Sequence, residues 1–228
     1  MNHMRWYLLN SGACPSAENM AWDEALLASS RQLGKPVLRL YGWREPAATF
    51  GYFQKYSEVE GMTALRPLIR RCTGGGLVPH DADWTYSLAF PPGDPWYELR
   101  ATESYRRVHD WIRMAFERLG SAAELSPCCR KEAPGQCFIG AEQFDVLLDG
   151  QKIAGAAQRR TRDGLLIQGS IQPPPRASRV EFEQAFCEVA STEWAVEWEL
   201  LTVDEELKSR VAQLAAEKYS RKDFNERR

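Results

Sequence analysis

The chain has 228 residues, 44% hydrophobic and 26% charged, and its 29 basic against 31 acidic side chains leave a net charge of −2. That composition belongs to a folded protein long enough to bury a core without disulfides, and it excludes a collagen, a coiled coil or a disordered tail. A near-neutral chain has no overall field to draw it onto nucleic acid or an anionic membrane, and no apolar run reaches the ~18 residues of a membrane span. The start, Met1-Asn2-His3-Met4-Arg5, lacks the apolar run of a signal peptide. A cytoplasmic chain with six reduced cysteines is therefore expected. Those cysteines form no Cys-x-x-Cys pair, and His3, His80 and His109 lie far apart, so no metal site is expected.

In chain order, Ser16 to Leu33 reads as a helix. Ser16 follows Pro15 as an N-cap, Met20, Leu27 and Ala28 recur at helical spacing, and Gly34-Lys35-Pro36 ends it. Val37 to Tyr41 and Pro67 to Arg71 are short strands, the second stopping at Gly74-Gly75-Gly76. Trp84, Tyr86, Leu88 and Phe90 alternate with smaller residues, a period-2 strand closed by Pro91-Pro92. Thr102 to Leu119 is a helix with Tyr105, Val108, Ile112, Phe116 and Leu119 in one stripe, and Gly120 stands where a C-terminal cap belongs. A meander follows over Phe144 to Leu148, Lys152 to Gln158 and Leu165 to Ile171, joined by Asp149-Gly150 and by Thr161 to Gly164. Ser178-x-x-Glu181 is a capping box opening another helix, Ala195 to Leu200 reads as a strand, and Thr202-x-x-Glu205 caps a final helix over 202–220. The mixture is α+β with a mixed, mostly antiparallel sheet flanked by helices. With no repeat or linker, residues 1–228 are read as one domain.

Three constellations carry candidate chemistry. The first runs from Arg70 to Asp81. Gly74, Gly75 and Gly76 let backbone approach a ligand closely, Arg70 and Arg71 offer forked donors, and Val78 and His80 lie just beyond. No Gly-Lys-Ser/Thr follows, so this is not a P-loop. A flexible turn with solvated arginines is the bland alternative. The second is Lys152 followed by Gly155, Ala156, Ala157 and Gln158, a strand with so little side-chain volume that a flat or linear ligand would fill the gap. Taken alone, Lys152 reads equally as an exposed hairpin lysine. The third is Cys137, just ahead of the meander. A thiol there is either a small core residue or a nucleophile activated by a nearby cation such as Lys152. Cys128 and Cys129, beside Arg130-Lys131, are competing candidates, and His109 reads as structural.

Together these segments resemble the lipoate-protein ligase and octanoyltransferase family, related to biotin protein ligases. The resemblance rests on Asn19 to Leu27, Leu38 to Trp43, Gly51-Tyr52-Phe53-Gln54, Arg71 to His80 and Lys152 to Gln158. It implies a class II biotin/lipoate ligase-like catalytic domain. Within the family, Cys137-Phe138, the Gly51 to Gln54 segment and Phe144-Asp145 resemble cysteine-dependent octanoyltransferases of the LipM and LipL type. The resemblance then implies ping-pong transfer. Cys137 takes octanoyl from octanoyl-acyl carrier protein, or from a lipoyl-domain protein, and passes it to a lipoyl-domain lysine. The acceptor is a glycine-cleavage protein or a 2-oxoacid dehydrogenase subunit. Lys152 activates the thiol, Arg71 and His80 position the carbonyl and incoming groups, backbone N–H groups near Gly74, Gly75 and Gly76 or near Lys152 stabilise the oxyanion, and Val78 binds substrate with them. The acyl tail lies over Gly155, Ala156 and Ala157, with Gln158 alongside. Arg70, Arg71, Arg159, Arg160 and Arg162 form a docking rim. A thioester is already activated, so no cofactor is implied. The alternatives are an ATP-dependent lipoate-protein ligase and a non-catalytic homologue that only binds acyl or lipoyl proteins.

Overall fold

A computed structural model describes residues 4–128, 140–174 and 177–227. In chain order the elements are β1 (Met4–Cys14), α1 (Ser16–Leu33), β2 (Val37–Trp43), β3 (Ala47–Phe50), α2 (Tyr56–Val59), β4 (Leu68–Arg70), β5 (Val78–His80) and β6 (Trp84–Phe90). There follow α3 (Pro95–Glu98), α4 (Ala101–Arg118), β7 (Glu124–Leu125), β8 (Val146–Leu148), β9 (Gln151–Thr161), β10 (Gly164–Ile171), α5 (Arg179–Trp194), β11 (Val196–Leu200) and α6 (Glu205–Leu214). A π-helical turn (Ala215–Tyr219) and α7 (Lys222–Asn225) end the chain.

Eight strands form one sheet in the order β11-β1-β2-β6-β10-β9-β8-β7. β1 pairs in parallel with β2 and β11, and the pairs from β2 to β7 are antiparallel. The mixed, mostly antiparallel α+β class is therefore the observed one. A second sheet, β4-β3-β5, lies apart from it.

The period of two sorts the large sheet into two unlike faces. Leu38, Leu40, Tyr86, Leu88, Phe90, Leu165 and Ile167 turn to one side, where α4 and α5 supply Val108, Trp111, Ile112, Phe116, Phe182 and Phe186. On the other side Val37, Ala89 and Leu166 pack toward α1, and the remaining residues there are polar: Arg39, Tyr41, Thr85, Ser87, Gln168 and Ser170, all buried. α1 covers part of this face and brings Asp23 to meet them. Asp23 Oδ1 accepts from Arg39 Nη1 (2.8 Å) and Ser87 Oγ (2.6 Å), and Oδ2 accepts from Tyr41 Oη (2.8 Å) and Gln168 Nε2 (2.6 Å). A buried charge survives only when paired and hydrogen-bonded, and all four lone-pair directions are used here.

Several local expectations are corrected. β1 was not read as a strand. Its burial is irregular, with Trp6 and Cys14 the only buried residues, so no alternation marks it. The α1 N-cap is Pro15 rather than Ser16, whose hydroxyl instead donates to Glu45 Oε1 (2.6 Å). The last helix starts from Asp204, which accepts from Leu207 N–H (2.8 Å), rather than from Thr202. It breaks at the π-helical turn, so 202–220 is not one α-helix. Ser178 caps α5 as expected, its hydroxyl accepting from Glu181 N–H (3.3 Å). Among the described residues no helix is long and apolar enough to cross a membrane.

Candidate active site

The hairpin between β8 and β9 positions Lys152. Asp149 and Gly150 both take positive φ (51° and 74°), the backbone a tight two-residue turn requires. Leu147 then pairs with Lys152 and Val146 with Ala154, leaving Ile153 as an extra residue. Such a bulge re-aims the side chains that follow it. Ile153 and Ala154 both enter the core under α4. Lys152 consequently shares a face with Gly155, three residues on, which a regular strand would place on the opposite side.

Lys152 Nζ meets Asp145 Oδ2 at 2.7 Å, with the two side chains 7% and 0% exposed. The same oxygen accepts from Glu142 N–H (2.6 Å), and Oδ1 accepts from the Tyr105 hydroxyl on α4. Burial, then the neighbouring Asp145 carboxylate, push the Tyr105 phenol well above its ordinary pKa. One turn along α4, the His109 ring packs at a tilt against Tyr105 and its Nδ1 donates to the Tyr105 carbonyl (2.9 Å). Burial pulls the His109 pKa down to about 4, so its imidazole is neutral at pH 7.

β9 and β10 floor the region beyond Lys152. Gly155 is opposite Ser170 and Ala157 opposite Gln168, so these four share the face that carries the polar network. Gln168 Oε1 accepts from Thr73 (2.7 Å), which fixes the glycine loop over this floor. Ser170 donates to Asp83 Oδ2 (2.7 Å), the oxygen that also meets His80 Nδ1 at 2.8 Å. His80 stacks on Trp43 with ring centroids 3.9 Å apart, and its Nε2 faces Thr49 Oγ1 at 2.8 Å. The same Thr49 oxygen accepts from Arg71 Nη1 (2.8 Å), while Arg71 Nη2 donates to the Gly74 and Gly76 carbonyls (2.9 and 2.8 Å). Arg71 therefore clamps the loop, and Gly75 stands exposed at its tip. Opposite it, Gly51 is a position where only glycine fits, since a Cβ would sit 1.9 Å from Gly75 O.

The structure thus places Gly155 and Ala157 with Lys152 on β9, while Arg71, Gly74, Gly75, Gly76 and His80 belong to the second sheet and its loop, linked to the same face of the large sheet through Thr73–Gln168 and Asp83–Ser170, with Val78 of β5 opposite Thr49 of β3. Four expectations change. Ala156 turns to the α4 side, so it does not share a surface with Gly155 and Ala157. The space over Gly155 holds Lys152 itself, with Cε and Nζ at 2.9 and 3.0 Å from where a Cβ would be. Gln158 spends its amide on α4, donating to the Ala101 carbonyl (2.7 Å) and accepting from Ser104 (3.1 Å). Arg70 and Arg71 are buried and form no rim. Arg70 donates to the carbonyls of Tyr52, Gln54, Phe224, Asn225 and Arg227, tying the C-terminal segment to the 51–54 turn. Arg162 is exposed and Arg159 partly so.

Cys137 and Cys129 lie outside the described residues. Of the described thiols, burial pushes Cys72 and Cys187 up to about 12 and raises Cys14, while Cys128 is exposed. Nothing in the sequence marks Tyr105 for the site, because its place in an apolar helical stripe is also that of a core residue. Asp145 entered only as a family landmark. The available signal was a carboxylate just ahead of a hairpin that opens on lysine.

The model of the lipoyl protein ligase A/B catalytic domain matches residues 15–180. An octanoyltransferase LipM of an Exiguobacterium species is 36% identical over 185 residues, covering 75% of this chain and 67% of that protein. An octanoyltransferase LipM of Geobacillus kaustophilus is 36% identical over 180 residues, covering 73% and 64% respectively. The match therefore spans about two thirds of the length of these curated relatives. Among solved structures, lipoate-protein ligase A bound with ATP superposes with a TM-score of 0.78 at 22% identity, covering 98% of each chain. The bi-partite lipoate protein ligase of Thermoplasma acidophilum, from work on the ligase and its E2 lipoyl domain, gives 0.76 at 21%, covering 98% and 96%. At that identity the structures establish a shared fold, whereas the sequence match goes further. The chain belongs to the lipoyl protein ligase A/B catalytic domain family.

Proposed function

We propose that this chain is an octanoyltransferase of protein lipoylation, working through Cys137 and Lys152. The observation that carries the reading is Lys152, a nearly buried ammonium held by Asp145 at the end of a floor of small residues. The names of the relatives support the chemistry. The whole of residues 1–228 is read as one catalytic unit.

In the first half-reaction the Cys137 thiolate attacks the octanoyl thioester carbonyl of an acyl carrier protein. The new C–S bond forms, the tetrahedral oxyanion collapses, and the carrier thiolate leaves and takes a proton. In the second, the neutral amine of a lipoyl-domain lysine attacks the enzyme thioester. An amide forms, the C–S bond to Cys137 breaks, and the amine's proton returns to the thiolate. The Lys152 ammonium favours the Cys137 thiolate as nucleophile in the first half-reaction and as leaving group in the second. Backbone N–H groups of the exposed glycine-loop tip are donors for the oxyanion. The acyl tail runs over Ala157 toward the loop, since Lys152 fills the space above Gly155. A carrier-bound acyl group or one already on another lipoyl protein fits the same steps. Acceptors are glycine-cleavage protein or 2-oxoacid dehydrogenase lipoyl domains, and the working place is the cytoplasm, whose thiols stay reduced.

The test supplies octanoyl carrier protein and a lipoyl domain without ATP. Octanoylated lipoyl domain is expected. Modification that appears only with free lipoate, ATP and magnesium assigns the chain to ligation instead, and binding without turnover makes it a non-catalytic homologue.

A further inference from the structure

Asp145 has three strong partners inside the protein. Its side chain is fully buried, one oxygen faces Lys152 and the Glu142 amide, and the other takes the Tyr105 hydroxyl. These partners come from three places: the stretch ahead of β8, the start of β9, and the first turns of α4. Two further titratable groups on neighbouring elements are uncharged at neutral pH. His109 Nε2 on α4 is buried with no hydrogen-bond partner among the described residues, and burial keeps the ring neutral. The Tyr86 hydroxyl on β6 is likewise buried with no partner among the described residues, and burial holds its pKa far above the ordinary value. Arg106 on α4 and Glu142 are exposed. Lys152 and Asp145 are themselves buried, where an ion pair is screened least. A regular strand would not direct Lys152 to this place, and the bulge at Ile153 does so.

We propose that Asp145 and Tyr105 are positioning residues, a fixed carboxylate and the hydroxyl that orients it, which together set the place and charge of the Lys152 ammonium for acyl transfer. The inference rests on the octanoyl-transfer reading for its kinetic consequence but not for its chemistry. Asp145→Asn keeps the shape and removes the carboxylate that Lys152 meets at 2.7 Å, and losing a nearby opposite charge favours the neutral amine of a buried lysine. Tyr105→Phe keeps the ring and frees one Asp145 oxygen.

Two readouts on the full chain test this. In the first, a short pulse of acetic anhydride at fixed pH is followed by peptide mass spectrometry, with Lys152 acetylation scored against the other lysines. Labelling rises about tenfold in Asp145→Asn, the change that one pKa unit produces, and by a smaller factor in Tyr105→Phe. In the second, kcat for octanoyl transfer falls about 100-fold in Asp145→Asn, the cost of misplacing a group by about 1 Å, with KM for the acyl donor nearly unchanged. Unchanged labelling in both variants, or a loss confined to KM, overturns the proposal. If Asp145→Asn does not fold, Tyr105→Phe decides it by the same two readouts. A wild-type chain that transfers no octanoyl group overturns the functional reading instead. The labelling arm needs no acyl donor, so a rise there still supports the positioning of Lys152.

Discussion

Gly155→Ala tests the packing of the site with one methyl group. The new Cβ falls 2.9 Å from Lys152 Cε, 3.0 Å from Nζ and 3.4 Å from Asp145 Oδ1. Carbon atoms in contact settle at about 3.5–4.0 Å, so the lysine arm must retreat by about 0.5–1 Å. The arm is flexible, but its end is tied to Asp145 at 2.7 Å, and Asp145 is tied in turn to Tyr105 and Glu142. The strain is therefore shared by the whole cluster. Overpacking of this kind costs about 1–3 kcal/mol, or about 2–12 °C of Tm for a chain of this length. A displacement of about 1 Å lowers octanoyl transfer by about 100-fold. Thermal melting by circular dichroism reads the first effect, and steady-state transfer from octanoyl carrier protein reads the second. Wild-type melting together with wild-type kcat would refute the reasoning, because the space above Gly155 would then not be the seat of Lys152.

Two further outcomes follow from other parts of the molecule. Gly51→Ala drives a Cβ to 1.9 Å from Gly75 O, a backbone atom that cannot swing aside. Stability drops by about 3 kcal/mol or more and the glycine loop exchanges its amides faster, measured by urea unfolding and hydrogen exchange; an unchanged midpoint contradicts the contact. His109 has its folded pKa lowered to about 4, against about 6.5 when unfolded. The unfolded chain therefore binds the proton first as pH falls. The contribution of neutral His109 is complete above about pH 6.5 and is lost toward pH 4, on the order of 3 kcal/mol. Urea unfolding of His109→Gln, compared with wild type at pH 7 and pH 4.5, should lack that loss; equal pH dependence in both proteins rules it out.

The parts of the fold legible in the sequence are those whose pattern one period dominates. Trp84 to Phe90 alternates because β6 is central and its two faces differ, large apolar groups toward α4 and α5, small and polar ones toward α1. The hairpins were marked by Asp149-Gly150 and by the turn before Gly164. β1 was hidden because half-buried positions dominate it. In the site, residue types were readable and directions were not. Arg70 and Arg71 look alike in sequence, yet the burial of β4 and the closeness of the C-terminal segment turn Arg70 toward five backbone carbonyls, and Arg71 toward Thr49 and the glycine loop. Nothing in Lys152-Ile153-Ala154-Gly155 announces a bulge, and without it Lys152 and Gly155 would stand on opposite faces. The Asp145–Tyr105 link spans 40 residues of chain, and only the docking of α4 against β8 and β9 creates it.

The central claim is that an octanoyl group passes through one cysteine beside Lys152. Intact-protein mass spectrometry after incubation with octanoyl carrier protein tests it most directly. The account predicts a gain of one octanoyl group that maps to Cys137, disappears in Cys137→Ser, and is discharged when a lipoyl domain is added. Label that persists in Cys137→Ser, or that maps to Cys128 or Cys129, contradicts it.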